Sequence, residues 1–239
     1  MIAGNAEVRP KTDSASRFVG QTMKVFAAAV LISSLAICGA WSQPVSENSA
    51  TAERVVEQLR GLPTPLPIVG NGPAPPGERP PIPPSEVLRD ELYRRLHRLG
   101  PAAVTALARG YRDADMQLRR NVALALGVLG GGYWQGLPEL DISSALPALT
   151  IALTDADPSV RAWSAQAIGH IGAEAASAVA ALVLLLENEN EGSRNSACIG
   201  LRGVGPAAGS ALPALRRALS DSSDDVRRFA RLAIDHIEQ

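Results

Sequence analysis

The chain has 239 residues, a formal net charge of −1, 46% hydrophobic and 4% aromatic residues, and a mean hydropathy of +0.05. Charges of both signs are interspersed, so there is no basic stripe of the kind that binds nucleic acid by releasing counterions. Its two cysteines, Cys38 and Cys198, give no disulfide framework.

In chain order, residues 1–42 read as an N-terminal leader and signal peptide. Residues 25–38 form an apolar run without charge, preceded by Lys24 and followed by the small residues Gly39 and Ala40. The run is short for a membrane span, and extending it to Trp41 only reaches the lower limit of about 17 residues. Export to the periplasm or cell envelope is therefore expected, with cleavage after Ala40 or Ser42. An uncleaved anchor in the inner membrane is the alternative. Translation starting at Met23 would give a signal of ordinary proportions, because the mixed-charge residues 1–22 are unusually long for a leader.

Residues 43–84 read as a linker. Ten of the 18 prolines lie between Pro63 and Pro84, which favours an extended, partly polyproline spacer. Before it, Val55, Val56, Leu59 and Leu62 predict a short helix over 51–62 that either docks on the C-terminal part of the chain or stays loose; alone it would be marginal in water.

Residues 85–239 repeat. An Arg column (Arg89, Arg119, Arg161, Arg194, Arg227) is followed seven and ten residues later by aliphatic pairs such as Ile168 and Ile171. Four residues before each Arg stand Ser85, Asp115, Asp157, Asn190 and Ser223, which predict N-caps. Eleven after it stand Gly100, Gly130, Gly172 and Gly205, which predict left-handed helix stops. A second helix follows each glycine, as in Leu146-Pro147-Ala148-Leu149 and Leu212-Pro213-Ala214-Leu215. Each unit is thus a hairpin of a helix A carrying the Arg and a helix B. Such hairpins bury their apolar faces only by stacking. The expected units are 85–113, 114–155, 156–188, 189–221 and a half unit 222–239, whose polar side chains cap the stack.

The motif Asp155-Ala156-Asp157-Pro158-Ser159-Val160-Arg161, followed by Ala167-Ile168-Gly169 and Ile171-Gly172, resembles HEAT repeats, in particular the short bacterial kind related to phycobilin lyases. The resemblance covers roughly 85–239. It implies an all-α fold, a right-handed α-α superhelix of about 4.5 helical hairpins, which mostly hosts interaction surfaces. It also implies structural roles for Asp115, Arg119, Asp157, Arg161, Arg194 and Arg227, with Asp and Arg stacking as a ladder between repeats. At Gly192-Ser193 the motif departs from Pro-Val, and that helix is expected to start less firmly.

Candidate chemistry is sparse. Cys198 has no histidine in its unit and reads as a packed thiol. His170 and His236 share a tolerant column, expected to be exposed. Acidic clusters at unit boundaries read as helix caps rather than calcium loops. Within 85–239 there are 16 Arg, no Lys and 18 acidic residues, which reads as codon preference. Neither a catalytic residue, nor a metal, nor a cofactor is assigned. An insertion in the second unit, residues 131–141, carries Tyr133 and Trp134, candidate partner-binding residues; the alternative is a lid folded onto its own unit. The expected function is a non-catalytic protein-interaction or scaffold module with another protein as partner. A lyase-like protein binding a tetrapyrrole, and a membrane-tethered spacer, are the alternatives.

Overall fold

A computed structural model describes residues 45–63, 84–132 and 137–239. The signal run, the bulk of the Pro-rich stretch, and Tyr133 and Trp134 lie outside the described residues. Residues 46–239 form one compact unit, and among the described residues every regular element is helical.

The helices are α1 (Val45–Gln58), α2 (Pro84–Leu99), α3 (Pro101–Gly110), α4 (Met116–Gly131), α5 (Leu146–Ala152), α6 (Pro158–Ile171), α7 (Val179–Leu186), α8 (Glu191–Val204), α9 (Leu212–Ala218) and α10 (Asp224–Ile237). The A helices α4, α6, α8 and α10 start at capped positions. Asp115 accepts from the N–H groups of Gln117 and Leu118, and Asp157 from those of Ser159 and Val160. Asn190 accepts from Ser193 N–H and Ser223 from Val226 N–H. Each cap contributes about 1 kcal/mol. The start at Gly192-Ser193 is reinforced rather than loose, because the Ser193 hydroxyl also donates to Asn190 Oδ1. Ser85 is not a cap: α2 begins at Pro84, so Ser85 is already helical.

The glycine stops need two corrections. Gly172 and Gly205 have φ of 73° and 68° but ψ of −143° and −145°. That is a mirror-image extended conformation, closed to side chains with a Cβ, and it turns the chain straight into the 3-10 segments Gly172–Ala178 and Gly205–Ala211 that lead into helix B. Gly130 stays helical, and the left-handed residue is Gly132 (φ 63°, ψ 12°), since the insertion lengthens α4. Pro158–Leu186, apolar and long enough for a membrane span by composition, is broken by Gly172 into a hairpin.

Leu126, Ile168 and Leu201 from helices A meet Leu107, Leu149, Leu182 and Leu215 from helices B, all fully buried. Helices A pack in series, α4 on α6 on α8 on α10, while successive helices B touch each other less. Glycine permits that packing: a Cβ on Gly200 would lie 2.7 Å from the Ala165 carbonyl oxygen, and one on Gly203 would collide with the backbone of Gly169.

The segment before the Pro-rich stretch is docked rather than loose. Helix α1 starts at Val45 and continues through turns to Leu62, burying Ala52, Val55, Val56, Leu59 and Leu62 in the common core. The linker assigned to 43–84 therefore narrows at its N-terminal side. Helix α2 packs on α4 far less than the later A helices pack on one another, because residues 59–63 lie against α4 instead.

Gly203→Ala should cost roughly 2 kcal/mol or more in urea unfolding by forcing α6 and α8 apart. Gly209→Ala, with open space around its Cβ position, should cost little. Equal effects of the two would contradict the close-approach account.

Candidate interaction surface

The repeated Arg side chains are fixed in a two-way clasp. Arg119 Nη1 donates to the carbonyls of Asp113 and Ala114 (2.9 and 3.1 Å), in the turn before its own helix. Its Nε and Nη2 reach forward to Asp155 Oδ2 and Oδ1 (2.8 and 3.3 Å), in the turn before the next A helix. Arg194 repeats this, with Nη1 on the carbonyls of Asn188 and Glu189 and its other face on Asp221 (2.8 and 2.9 Å). The reached carboxylates also accept backbone N–H groups, Asp155 from Asp157 and Asp221 from Ser223. Each clasp therefore joins two turns and one helix start.

Asp115 and Asp157, expected as the acids of the ladder, are caps whose carboxylates take other cations. Asp157 pairs with Arg120, and Asp115 with Arg60. The ladder acids stand two residues earlier. In the third unit the corresponding residue is Asn188, and Arg161 Nε donates instead to Ser193 Oγ at 3.0 Å. Arg161 also holds the carbonyls of Asp155 and Ala156 but meets no carboxylate among the described residues. Arg227 ends the series, donating to the Asp221 carbonyl at 2.6 Å and pairing with Asp224 of its own helix. Arg89 does not join: it is buried and donates to the Pro63 carbonyl.

The outward line of the A row is set by residues one, five and nine positions after each Arg, which share a helix face. It reads Ala162, Gln166 and His170 on α6, Asn195, Ile199 and Gly203 on α8, and Arg228, Leu232 and His236 on α10. Leu232 is 42% exposed, Ile199 and Gln166 are partly exposed, and Asn195 Oδ1 is buried without a hydrogen-bond partner among the described residues. Arg202 beside this line makes no ion pair among the described residues, whereas Arg228 pairs with Asp225 and lies over the Phe229 ring. The fifth-position column is invisible to a search for repeats because it does not repeat; its alternation with buried neighbours was the available signal.

One expected feature shifts. His170 is half-buried, not exposed, and burial lowers its pKa, opposed by Glu139. Cys198 is the packed thiol expected: it is fully buried, which pushes its pKa up to about 12. Tyr133 and Trp134 are outside the described residues, but the return of the insertion is placed. Leu140 N–H donates to the Leu129 carbonyl at 2.9 Å, and His97 Nε2 lies 3.0 Å from the Pro138 carbonyl. That portion folds onto its own unit and reaches the first one.

Arg194 holds Asp221 below the usual carboxylate range, and Arg60 holds Asp113 down to about 2. Groups whose pKa falls on folding add stability that is whole above the unfolded value near 4 and lost as pH falls through the folded value. The Arg60–Asp113 pair should thus fail between about pH 4 and about pH 2, and the Arg194–Asp221 clasp as pH falls below about 4. Asn188→Asp would give Arg161 its carboxylate and should add roughly 1 kcal/mol at pH 7, measured by urea unfolding, with the gain gone by about pH 3. No gain at pH 7 would show that position 188 does not face Arg161.

Residues 146–235 match the family of HEAT repeats. Among solved structures the chain is similar to the complex of CpcE and CpcF of phycocyanin lyase from Nostoc, at 18% identity over 77% of this chain and 98% of that one, with a TM-score of 0.56. It is also similar to a designed armadillo repeat protein in complex with the peptide (KR)4, at 21% identity over 62% of this chain and 69% of that one, with a TM-score of 0.51. At these identities the likeness is one of fold. No curated protein matches the chain. Residues 146–235 are HEAT repeats, set in an α-helical solenoid.

Proposed function

We propose that the chain is a non-catalytic interaction module that binds a segment of another protein along the outward line of its A row. The observation that carries this reading is a division of labour. The repeated Arg and Asp side chains are consumed by the clasps and caps, while Gln166, Ile199 and Leu232 are left partly or fully exposed on one line. An apolar and amide line of this kind suits a peptide main chain with apolar side chains.

Charge selects the segment. Arg202 and His236 flank the line, with Asp235 as the carboxylate beside them. Arg202 and Asp235 carry opposite charges, so a segment of low net charge is favoured over a strongly basic peptide such as that bound by the designed armadillo repeat protein. Tyr133 and Trp134 on the insertion form a second contact in this proposal. In this reading the N-terminal apolar run of the sequence serves as an export signal to the periplasm or cell envelope; recovery of full-length precursor in the cytoplasm alone would count against that. The likeness to the phycocyanin lyase complex leaves a tetrapyrrole-handling reading as the alternative, testable by absorbance of the purified protein.

Peptide-display selection tests the main proposal. Peptides of low net charge selected on the intact chain should lose at least about tenfold in affinity, roughly 1.4 kcal/mol, on Ile199→Asp with Leu232→Asp. Tyr133→Ala with Trp134→Ala should weaken them further, both at unchanged melting temperature. Peptides that bind the first double variant as well as the parent would refute the A-row site. A large drop in melting temperature on the second would show a lid.

A further inference from the structure

One repeated Arg is not fully consumed, because the clasp series has an open rung. Arg119 and Arg194 each close on a carboxylate of the following unit, Asp155 and Asp221, whose Oδ1 also accepts the N–H two residues on. In the third unit that register position is Asn188, and its Oδ1 accepts the Asn190 N–H at 2.9 Å in the same way. The amide nitrogen of Asn188 therefore takes the place of the second carboxylate oxygen, on the side that faces Arg161 by register. Two groups that only donate cannot bond each other. Arg161 Nε goes to Ser193 Oγ instead, at 3.0 Å.

What remains is a held cation with a free end. Arg161 Nη1 is fixed by the carbonyls of Asp155 and Ala156 at 2.8 and 3.0 Å. Its Nε is fixed by a serine that is itself fully buried and donates to Asn190 Oδ1. Arg161 Nη2 and Asn188 Nδ2 meet no acceptor among the described residues, and neither is among the buried unpaired atoms; both side chains are partly exposed. An Asp at 188 would complete the clasp as in the neighbouring units, so the gap is kept at a cost in stability. A position that departs from the rule its neighbours obey is where function is expected.

We propose that this open rung is a binding site for a carboxylate side chain supplied by a partner protein. A carboxylate presents acceptors only, which suits a gap lined by donors. With the guanidinium already held, little side-chain freedom is lost on binding. Glu189 and Glu191 are exposed in the adjoining turn and helix start, so the segment that fits carries one Asp or Glu among neutral residues rather than an acidic run. The site lies at a unit junction, apart from Gln166, Ile199 and Leu232, and this inference stands or falls independently of the proposed function.

Asn188→Asp supplies the missing carboxylate from within, so it should close the site while strengthening the array. Two peptide libraries are displayed against the intact chain at pH 7, alike in their neutral flanks but with a central Asp or Glu in one and Asn or Gln in the other. The carboxylate library should be enriched, and its selected peptides should lose at least about tenfold in affinity on Asn188→Asp, although the urea midpoint of that variant rises. Arg161→Met should lose them as well. Selected peptides that bind Asn188→Asp as tightly as the parent, whether or not they fail on Ile199→Asp with Leu232→Asp, would overturn the proposal. So would the lack of any preference for the carboxylate library, which would leave only water in the gap. An unchanged urea midpoint would overturn it too, because position 188 would then not face Arg161.

Discussion

A guanidinium presents five N–H donors in one rigid plane, and the array depends on pointing them in two directions at once. One edge of Arg119 or Arg194 closes the turn before its own helix by taking two main-chain carbonyls, and the other takes a carboxylate of the following unit. With side chains only 13–16% exposed, these pairs are partly shielded from solvent, and they are expected to exceed the roughly 0–1 kcal/mol typical of a surface ion pair. Lysine has no fork and could not serve both turns. The absence of Lys from residues 85–239 therefore has a geometric reason at the clasp positions, beyond codon preference.

The constraint also shapes what is left over. A side chain committed to two turns is unavailable to a partner, so recognition falls to positions that the clasp does not touch. On α6, α8 and α10 these are the columns one, five and nine residues after the Arg, where the sequence changes from unit to unit. Close packing of the A row, permitted by Gly169, Gly200 and Gly203, brings those columns side by side into one line. At the N-terminal end the same clasp chemistry recruits Arg60, which draws residues 46–63 into the array and displaces Arg89 from its register.

Much of the fold was legible because caps, stripes and stops are local. Asp115, Asp157, Asn190 and Ser223 act on backbone groups two or three residues away, and so appear as columns. The clasp partners were not legible for the opposite reason. Arg119 reaches 36 residues forward and Arg194 reaches 27, the first distance stretched by the insertion. Asp155 and Asp157 are the same residue type two positions apart, so spacing could not choose between them. Gly132 took the left-handed role from Gly130 because extra residues come after α4. The docking of α1 was hidden behind prolines, and the outward line was hidden because its residues do not repeat.

A double-mutant cycle on Arg194→Met and Asp221→Asn, read by urea unfolding at pH 7, tests the clasp most directly. If one side chain ties neighbouring units together, the two substitutions should be coupled by roughly 1.5–3 kcal/mol. Additivity within about 0.5 kcal/mol would show that the units are held by apolar stacking alone, and would contradict the account.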